Sequence, residues 1–310
     1  MAPRKIRAHY KHRSSEFHQW DQKGHADSYL LYPDNIGPYL SIDEVSLSKG
    51  ELYTFVTNKA GKGKKGTLVA CIKGTLSKDI IEVLNKIPLT ERSRVKEVTL
   101  DMANNMSYAV RMSFPHAKLT TDHFHVIRLA TEALQHIRVK YRWEEMDKEN
   151  QNIKQARDKG VKYKPEILSN EDTPKQLLAR CRYIIAKRKD QWTTSQKQRA
   201  LLLFERYPDL ENAYTHVIKL RNIFTNTDRD KAEGQFKDWL LETKSIKIKE
   251  FNTVANTIQD KLITILNYFD HRHTNANAES FNAKIKLFRA NLRGVIDPAF
   301  FLFRLEKLFA

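Results

Sequence analysis

Cysteine is nearly absent from this chain of 310 residues: Cys71 and Cys181 are the only two. Two are too few for a four-cysteine zinc ribbon, and no disulfide framework is evident, so the thiols fit a reducing compartment. No apolar run is long enough to span a bilayer, which argues against a membrane partner. The start, Met1 to Arg13, is basic but has no apolar stretch after it, as a secretory signal would, and a cytoplasmic protein is expected. No repeat of fixed period occurs. The glycine-rich stretch Asn58-Lys59-Ala60-Gly61-Lys62-Gly63-Lys64-Lys65-Gly66 looks like a phosphate-binding loop, but Thr67 follows Gly66 where that loop needs lysine. It reads instead as a basic hairpin tip whose Lys62, Lys64 and Lys65 can touch a DNA backbone.

Positive charge is present in excess. Lysine and arginine number 54 against 37 acidic residues, a formal net charge of +17. The excess is spread along the chain rather than gathered in one tail, which favours a broad polyanion-binding surface and a nucleic-acid partner. The length allows two or three structural units with a substantial core.

Along the chain, residues 1–38 read as a basic, solvated N-terminal arm. Its His9, His12, His18 and His25 fit no metal spacing. Strand patterns follow at 39–47, 52–57 and 67–72, then a helix at 77–87, a strand at 95–100, a helix at 105–114 and a short strand at 117–121. That order predicts a mixed five-stranded sheet with antiparallel and parallel members. The strand signal then disappears. Helices are expected at 124–160, 175–189, 194–207, 210–224, 230–243 and 249–270, the last with Phe251, Val254, Ile258, Leu262, Ile265 and Phe269 on one stripe. The expected division is an arm (1–38), the first part of an α/β core (39–130), an all-helical insertion (131–268) and a C-terminal helix completing the core (269–310). Aromatic residues lie among basic ones in Tyr141-Arg142-Trp143 and Arg182-Tyr183. Stacking on nucleic acid is one reading; the favoured one makes Trp143, Trp192 and Trp239 anchors of the helical core.

Three carboxylates carry the chemistry. Asp43 ends the run Tyr39-Leu40-Ser41-Ile42, and Asp101 ends Val95-Lys96-Glu97-Val98-Thr99-Leu100. Glu279 lies where a helical pattern opens. Ala278, Phe281, Ile285, Phe288 and Leu292 form that helix's apolar stripe, leaving Glu279, Lys286 and Arg293 on a polar face. An acid followed by bases on one side can bind a metal while the bases hold phosphates. The competing reading is a surface glutamate with a helical ion-pair neighbour.

Four strings carry a family resemblance: Ser41-Ile42-Asp43-Glu44-Val45, Thr99-Leu100-Asp101-Met102, Thr121-Asp122-His123-Phe124-His125-Val126, and Thr274-Asn275-x-x-x-Glu279-x-x-Asn282-x-x-Ile285-Lys286. Together they resemble bacterial insertion-sequence transposases of the L-three group, which are DDE enzymes with a ribonuclease-H-like core. The resemblance implies that Asp43, Asp101 and Glu279 are the catalytic acids, that they hold Mg²⁺ or Mn²⁺ as two ions, and that a helical insertion separates the second acid from the third. Asp122 and His125 match a motif near the site, with Asp122 as a reserve acid, and Asn275 and Asn282 flank Glu279. Lys62, Lys64, Lys65, Lys286, Arg289 and Arg293 are the expected DNA contacts. The implied reaction is cleavage of double-stranded DNA at element ends, followed by 3′-OH strand transfer into a target, with a dimer on DNA. Full-length members carry a zinc module and a helix-turn-helix ahead of the core. About forty cysteine-free residues stand there here, so either a separate end-binding protein is expected or the copy is truncated. A structure-specific nuclease of the same fold and a catalytically silent DNA-binding derivative are the alternatives.

Overall fold

A computed structural model describes residues 9–48, 50–246 and 248–310; residues 1–8 of the arm lie outside it. Among the described residues six strands run β1 (Tyr29–Leu31), β2 (Tyr39–Ser48), β3 (Glu51–Asn58), β4 (Leu68–Lys73), β5 (Glu97–Leu100) and β6 (Lys118–Thr121). The main helices are α1 (Ser77–Leu84), α2 (Asn104–Ser113), α3 (His123–Asp158), α4 (Pro174–Arg180), α5 (Thr194–Arg206), α6 (Pro208–Ile223), α7 (Arg229–Ile246), α8 (Lys249–Asp260), α9 (Ala276–Asn291) and α10 (Pro298–Phe309). The chain divides into two units, Met1–Asp122 with Ile263–Ala310, and His123–Leu262.

The first unit is mixed α/β. Its sheet has the order β1-β4-β3-β2-β5-β6. β1, β4, β3 and β2 pair antiparallel, whereas β2, β5 and β6 pair parallel. Alternation along β2 sends Leu40 and Ile42 to one face, packed with Val98, Leu100 and α1 and α2 residues such as Ile80, Leu84 and Val110. Val45 and Leu47 point to the other face, where Phe281 and Ile285 of α9 and Phe301 and Leu305 of α10 cover them. Each face is therefore covered by helices, as a sheet with parallel members requires.

Two expectations are corrected here. The sheet has six strands, not five, because β1 adds to the free edge of β4, with Leu30 opposite Cys71. Three residues are too few to show a period. The segment read as a solvated arm is also folded from Phe17 onward: Phe17, Trp20, Ala26 and Leu30 are buried. Phe17 meets Phe300 and Phe303 edge-on at 5.2 and 5.5 Å. The Glu306 carboxylate accepts from the Trp20 indole and, at 2.6 Å, from the Tyr32 hydroxyl. These residues carry no periodic pattern among their polar neighbours; α10, far along the chain, supplies their burial. Asp297 caps α10 by accepting from the Phe300 amide at 3.0 Å, with Pro298 in the first turn.

The second unit is all-helical among its described residues. Leu203, Phe204, Tyr214, Phe236, Phe251 and Ile258 are buried in it. Thr193 and Gln196 form a reciprocal capping box that starts α5. The segments read as single helices over 175–189 and 249–270 are both interrupted. α4 stops at Arg180, and α8 stops at Asp260, where Lys261 leaves helical geometry at φ −107°, ψ 12°. The apolar stripe continues past that break, since Ile265 and Phe269 are buried like Phe251 and Val254. The pattern reports burial and not helix continuity.

Candidate active site

The parallel strands decide where the acids stand. β2 and β5 are in register with Ser41 opposite Thr99, so two residues further on Asp43 and Asp101 reach the same level. β5 and β6 pair Leu100 with Thr121, and the Asp122 amide donates to the Leu100 carbonyl at 2.9 Å, which brings Asp122 level with Asp101. The intervening Ile42 and Leu100 point into the core on the α1/α2 face. Asp43, Asp101 and Asp122 therefore share the opposite face on three adjacent strands spaced about 5 Å apart; Asp101 and Asp122 follow the last residues of β5 and β6, whereas Asp43 lies in the middle of β2, paired with Phe55, and not at a strand end as its place after Ile42 suggests. Asp43 and Asp101 are half-buried. Asp122 is fully buried.

Local hydrogen bonds orient two of these carboxylates. Asp43 accepts from the Glu44 amide at 2.8 Å and from the Asn282 side-chain amide at 2.6 Å. Asp101 accepts from the Ala103 amide at 2.8 Å, ahead of α2. The neighbouring Glu44 carboxyl is raised above the usual carboxylate range, first by burial and then by the charges of Asp101 and Asp43. The charge part of that push, smaller than the part from burial, comes from the acids gathered nearby.

α9 lies across this edge. Glu279 sits in its first turn, is exposed, and has a carboxylate oxygen within 4.8 Å of one from Asp122. One turn later Asn282 holds Asp43. Glu279 and Asn282, three residues apart on one helix face, thus reach Asp122, just past β6, and Asp43 of β2. The compact group around Glu279 includes Asp122, while Asp43 and Asp101 stand outside it. His125 belongs to the second unit, three residues after Asp122 along the chain, in the first turn of α3. Asn275 is fully buried at the start of α9, and both polar atoms of its side chain lack a hydrogen-bond partner. The Asn282 amide oxygen lacks one too.

A cation lies among the acids that sequence reasoning missed. Lys59, at the end of β3, is buried and donates to the Thr99 hydroxyl. Burial lowers its ammonium to about 8, against the upward pull of Glu97 and Asp122. Nothing in the sequence separates Lys59 from the exposed lysines of the same loop. Glu97 is equally buried and meets His273 at 3.0 Å, which ties the approach to α9 to the sheet.

The expected DNA contacts divide. Lys62, Lys64, Lys65 and Lys286 are exposed. Lys284 of α9 donates to the Gly63 carbonyl at 2.6 Å and fixes the hairpin tip beside the helix. A Cβ on Gly63 would fall 2.7 Å from that ammonium, and its φ of +68° also favours glycine. Arg289 is half-buried and donates to the Ser46 carbonyl at 3.1 Å. Arg293 lies past the end of α9 at φ 55°, so it does not continue the line of Glu279 and Lys286. A cavity of about 660 Å³ opens at the other end of the parallel strands, lined by Tyr39, Lys96, His116, Lys118 and His271; it contains none of the three aspartates or Glu279.

The side chains gathered here offer hard oxygen donors: carboxylates and buried amides with unused hydrogen-bonding atoms. Such a set suits Mg²⁺ or Mn²⁺ far better than a thiolate-seeking metal. No curated protein and no solved structure matches the chain. A family model does: DDE_Tnp_ISL3, described as a transposase, covers residues 40–305. With acids level on adjacent strands, a helical interruption and a late glutamate falling inside one matched span, the chain belongs to the DDE transposase family of the insertion-sequence L-three group, and its function is that of a DNA transposase.

Proposed function

We propose that the first unit is a ribonuclease-H-like catalytic core, interrupted by the helical unit and completed by α9, and that it cuts DNA at element ends and joins the freed 3′-OH to a target. The observation that carries this reading is that Asp43, Asp101 and Asp122 stand level on one face of adjacent strands, with Glu279 near Asp122 and Asn282 on Asp43. Asp43, Asp101 and Glu279 would hold divalent metal, and we add Asp122 as a working acid because of its nearness to Glu279. Two bound Mg²⁺ or Mn²⁺ ions would supply Lewis-acid polarisation at the scissile phosphodiester and at the attacking oxygen.

The remaining chemistry belongs to the chain itself. Asn282 holds the Asp43 carboxylate in one orientation, which lowers the reorganisation needed to accept a cation. Lys59 offsets part of the negative charge around Asp122 from inside the sheet. Lys62, Lys64, Lys65 and Lys286 bind phosphates of the strand that crosses the edge. Sequence recognition of element ends is assigned to a separate zinc or helix-turn-helix protein, and processing of paired ends to a dimer on DNA in the cytoplasm. The deciding experiment is a cleavage and joining assay on end-bearing duplex DNA, with and without Mn²⁺ and the candidate partner. Metal-dependent nicking with joined product is expected. Nicking without joining would favour a nuclease, and binding without nicking a silent derivative.

A further inference from the structure

The second unit contains three tryptophans, and they do not behave alike. Trp192 and Trp239 are core residues, 8% and 2% exposed, with their indole N–H groups bonded to the carbonyls of Ile184 and His216. Trp143, on α3, is 58% exposed, and Tyr183, just after α4, is 68% exposed. The sequence expectation that all three anchor the core therefore fails for Trp143. Trp and Tyr are among the side chains enriched at binding interfaces, where a flat ring is offered to a partner.

Both rings stand next to arginine. Arg142 and Arg182 are exposed, and the Arg182 guanidinium lies 5.3 Å from the centre of the Tyr183 ring. The scaffold beneath is fixed. Buried Arg138 donates to the Leu178 carbonyl at 2.9 Å and to Gln135 at 2.7 Å, while Gln135 donates to the Arg182 carbonyl at 2.8 Å. The Arg138 guanidinium is depressed by burial and by the fields of Arg182 and Arg142, so three positive charges crowd this junction of α3 and α4. Among the described residues neither Arg142 nor Arg182 is paired with a carboxylate. Flat rings and unneutralised guanidiniums, on α3 and just after α4, match the two things a nucleic-acid strand offers, base faces and phosphates. A duplex hides its base faces by stacking; a single strand exposes them.

We propose that Trp143 and Tyr183, with Arg142 and Arg182, form a face for single-stranded DNA, the rings stacking on unpaired bases and the guanidiniums holding the adjoining phosphates. The proposal deepens the DNA-transposition reading: it gives the helical unit a hold on DNA that has lost its pairing.

The test uses the full chain in EDTA, so that cutting plays no part, with fluorescein-labelled oligothymidylate and a duplex of equal length. Trp20, Trp192 and Trp239 are buried, so quenching of tryptophan emission by the single strand reports on Trp143. Quenching is expected, with roughly tenfold weaker binding in Trp143→Ala, most affinity kept in Trp143→Phe, and unchanged melting in both. Arg142→Gln with Arg182→Gln should flatten the salt dependence of binding. Oligothymidylate binding by Trp143→Ala and Tyr183→Ala as tight as wild type would overturn the proposal. So would a Trp143→Ala variant that changes only the sedimentation of the protein, since the face would then serve contact between copies. If wild type binds oligothymidylate through Trp143 but never cuts end DNA, the face stands and the catalytic reading falls; if it cuts while both ring variants bind normally, the reverse holds.

Discussion

Two aspartates without solvent exposure keep very different company. Asp172, in the helical unit, is paired with Arg180, accepts from Arg199 at 3.1 Å and from Asn170 at 2.9 Å. Asp122, in the sheet unit, has Glu279 within 4.8 Å, stands level with Asp101, and pulls on the charge of buried Lys59. The first arrangement neutralises a buried charge and fixes a fold. The second gathers like charges on one face, an arrangement that costs stability unless a cation binds there. Burial of an acid is therefore uninformative by itself; the sign of its neighbours separates a structural carboxylate from one available for chemistry.

The same substitution at the two kinds of site should have opposite readouts. Asp43→Asn or Asp101→Asn should abolish strand cleavage, by a thousandfold or more on the order expected for metal-held phosphoryl transfer, and leave duplex binding nearly intact in a mobility-shift assay. Asp172→Asn should instead lower unfolding stability by about 3 kcal/mol in a denaturant titration, because it leaves two guanidiniums facing a neutral amide. Cleavage surviving in either sheet-unit variant would erase the distinction.

Metal should act on one unit alone. Saturating Mn²⁺ is expected to raise the melting transition of the sheet unit by several degrees, by mass action on the folded state. Asp122→Asn or Glu279→Gln should remove most of that gain, and the transition of the helical unit should not move. Calorimetry resolves the two.

Acid should also divide them. In the helical unit His216 is buried, stacked on Trp239 at 4.2 Å and bonded to Thr243 at 2.7 Å, and burial lowers it to about 4. Its folded value lies below the unfolded one, so the stability it confers is present above about 6.5 and is lost as pH falls toward 4, by roughly 3 kcal/mol at most. In the sheet unit the raised Glu44 runs the other way: its contribution is present at low pH and lost as pH rises through the raised value. Chemical unfolding from pH 7 to pH 4 should weaken the helical unit first, and His216→Gln should flatten that slope.

The smallest effect concerns the hairpin tip. Lys284→Met releases the Gly63 carbonyl and should weaken duplex binding about threefold, with the melting temperature within about 1 °C of wild type. A much larger loss would mean that Lys284 itself contacts phosphate.

Local pattern alone determined much of this protein. Alternation of apolar residues marks β2, β3 and β4. The long absence of strand signal outlines the helical unit. The strand-end positions of Asp101 and Asp122 follow from the same alternation, because a strand's last residue needs only its own neighbours to be recognised; Asp43, which closes an apolar run, lies in mid-strand instead. Tertiary structure decided the rest. Parallel register put the three aspartates level, the docking of α9 set Glu279 against Asp122 and Asn282 against Asp43, and α10 buried a segment that reads as a solvated arm. Burial also separated Trp143 from Trp192 and Trp239. The physical reason is one of range: propensity and periodicity act over a few residues, whereas convergence of side chains more than a hundred positions apart depends on strand register and helix packing that no short window of the chain encodes.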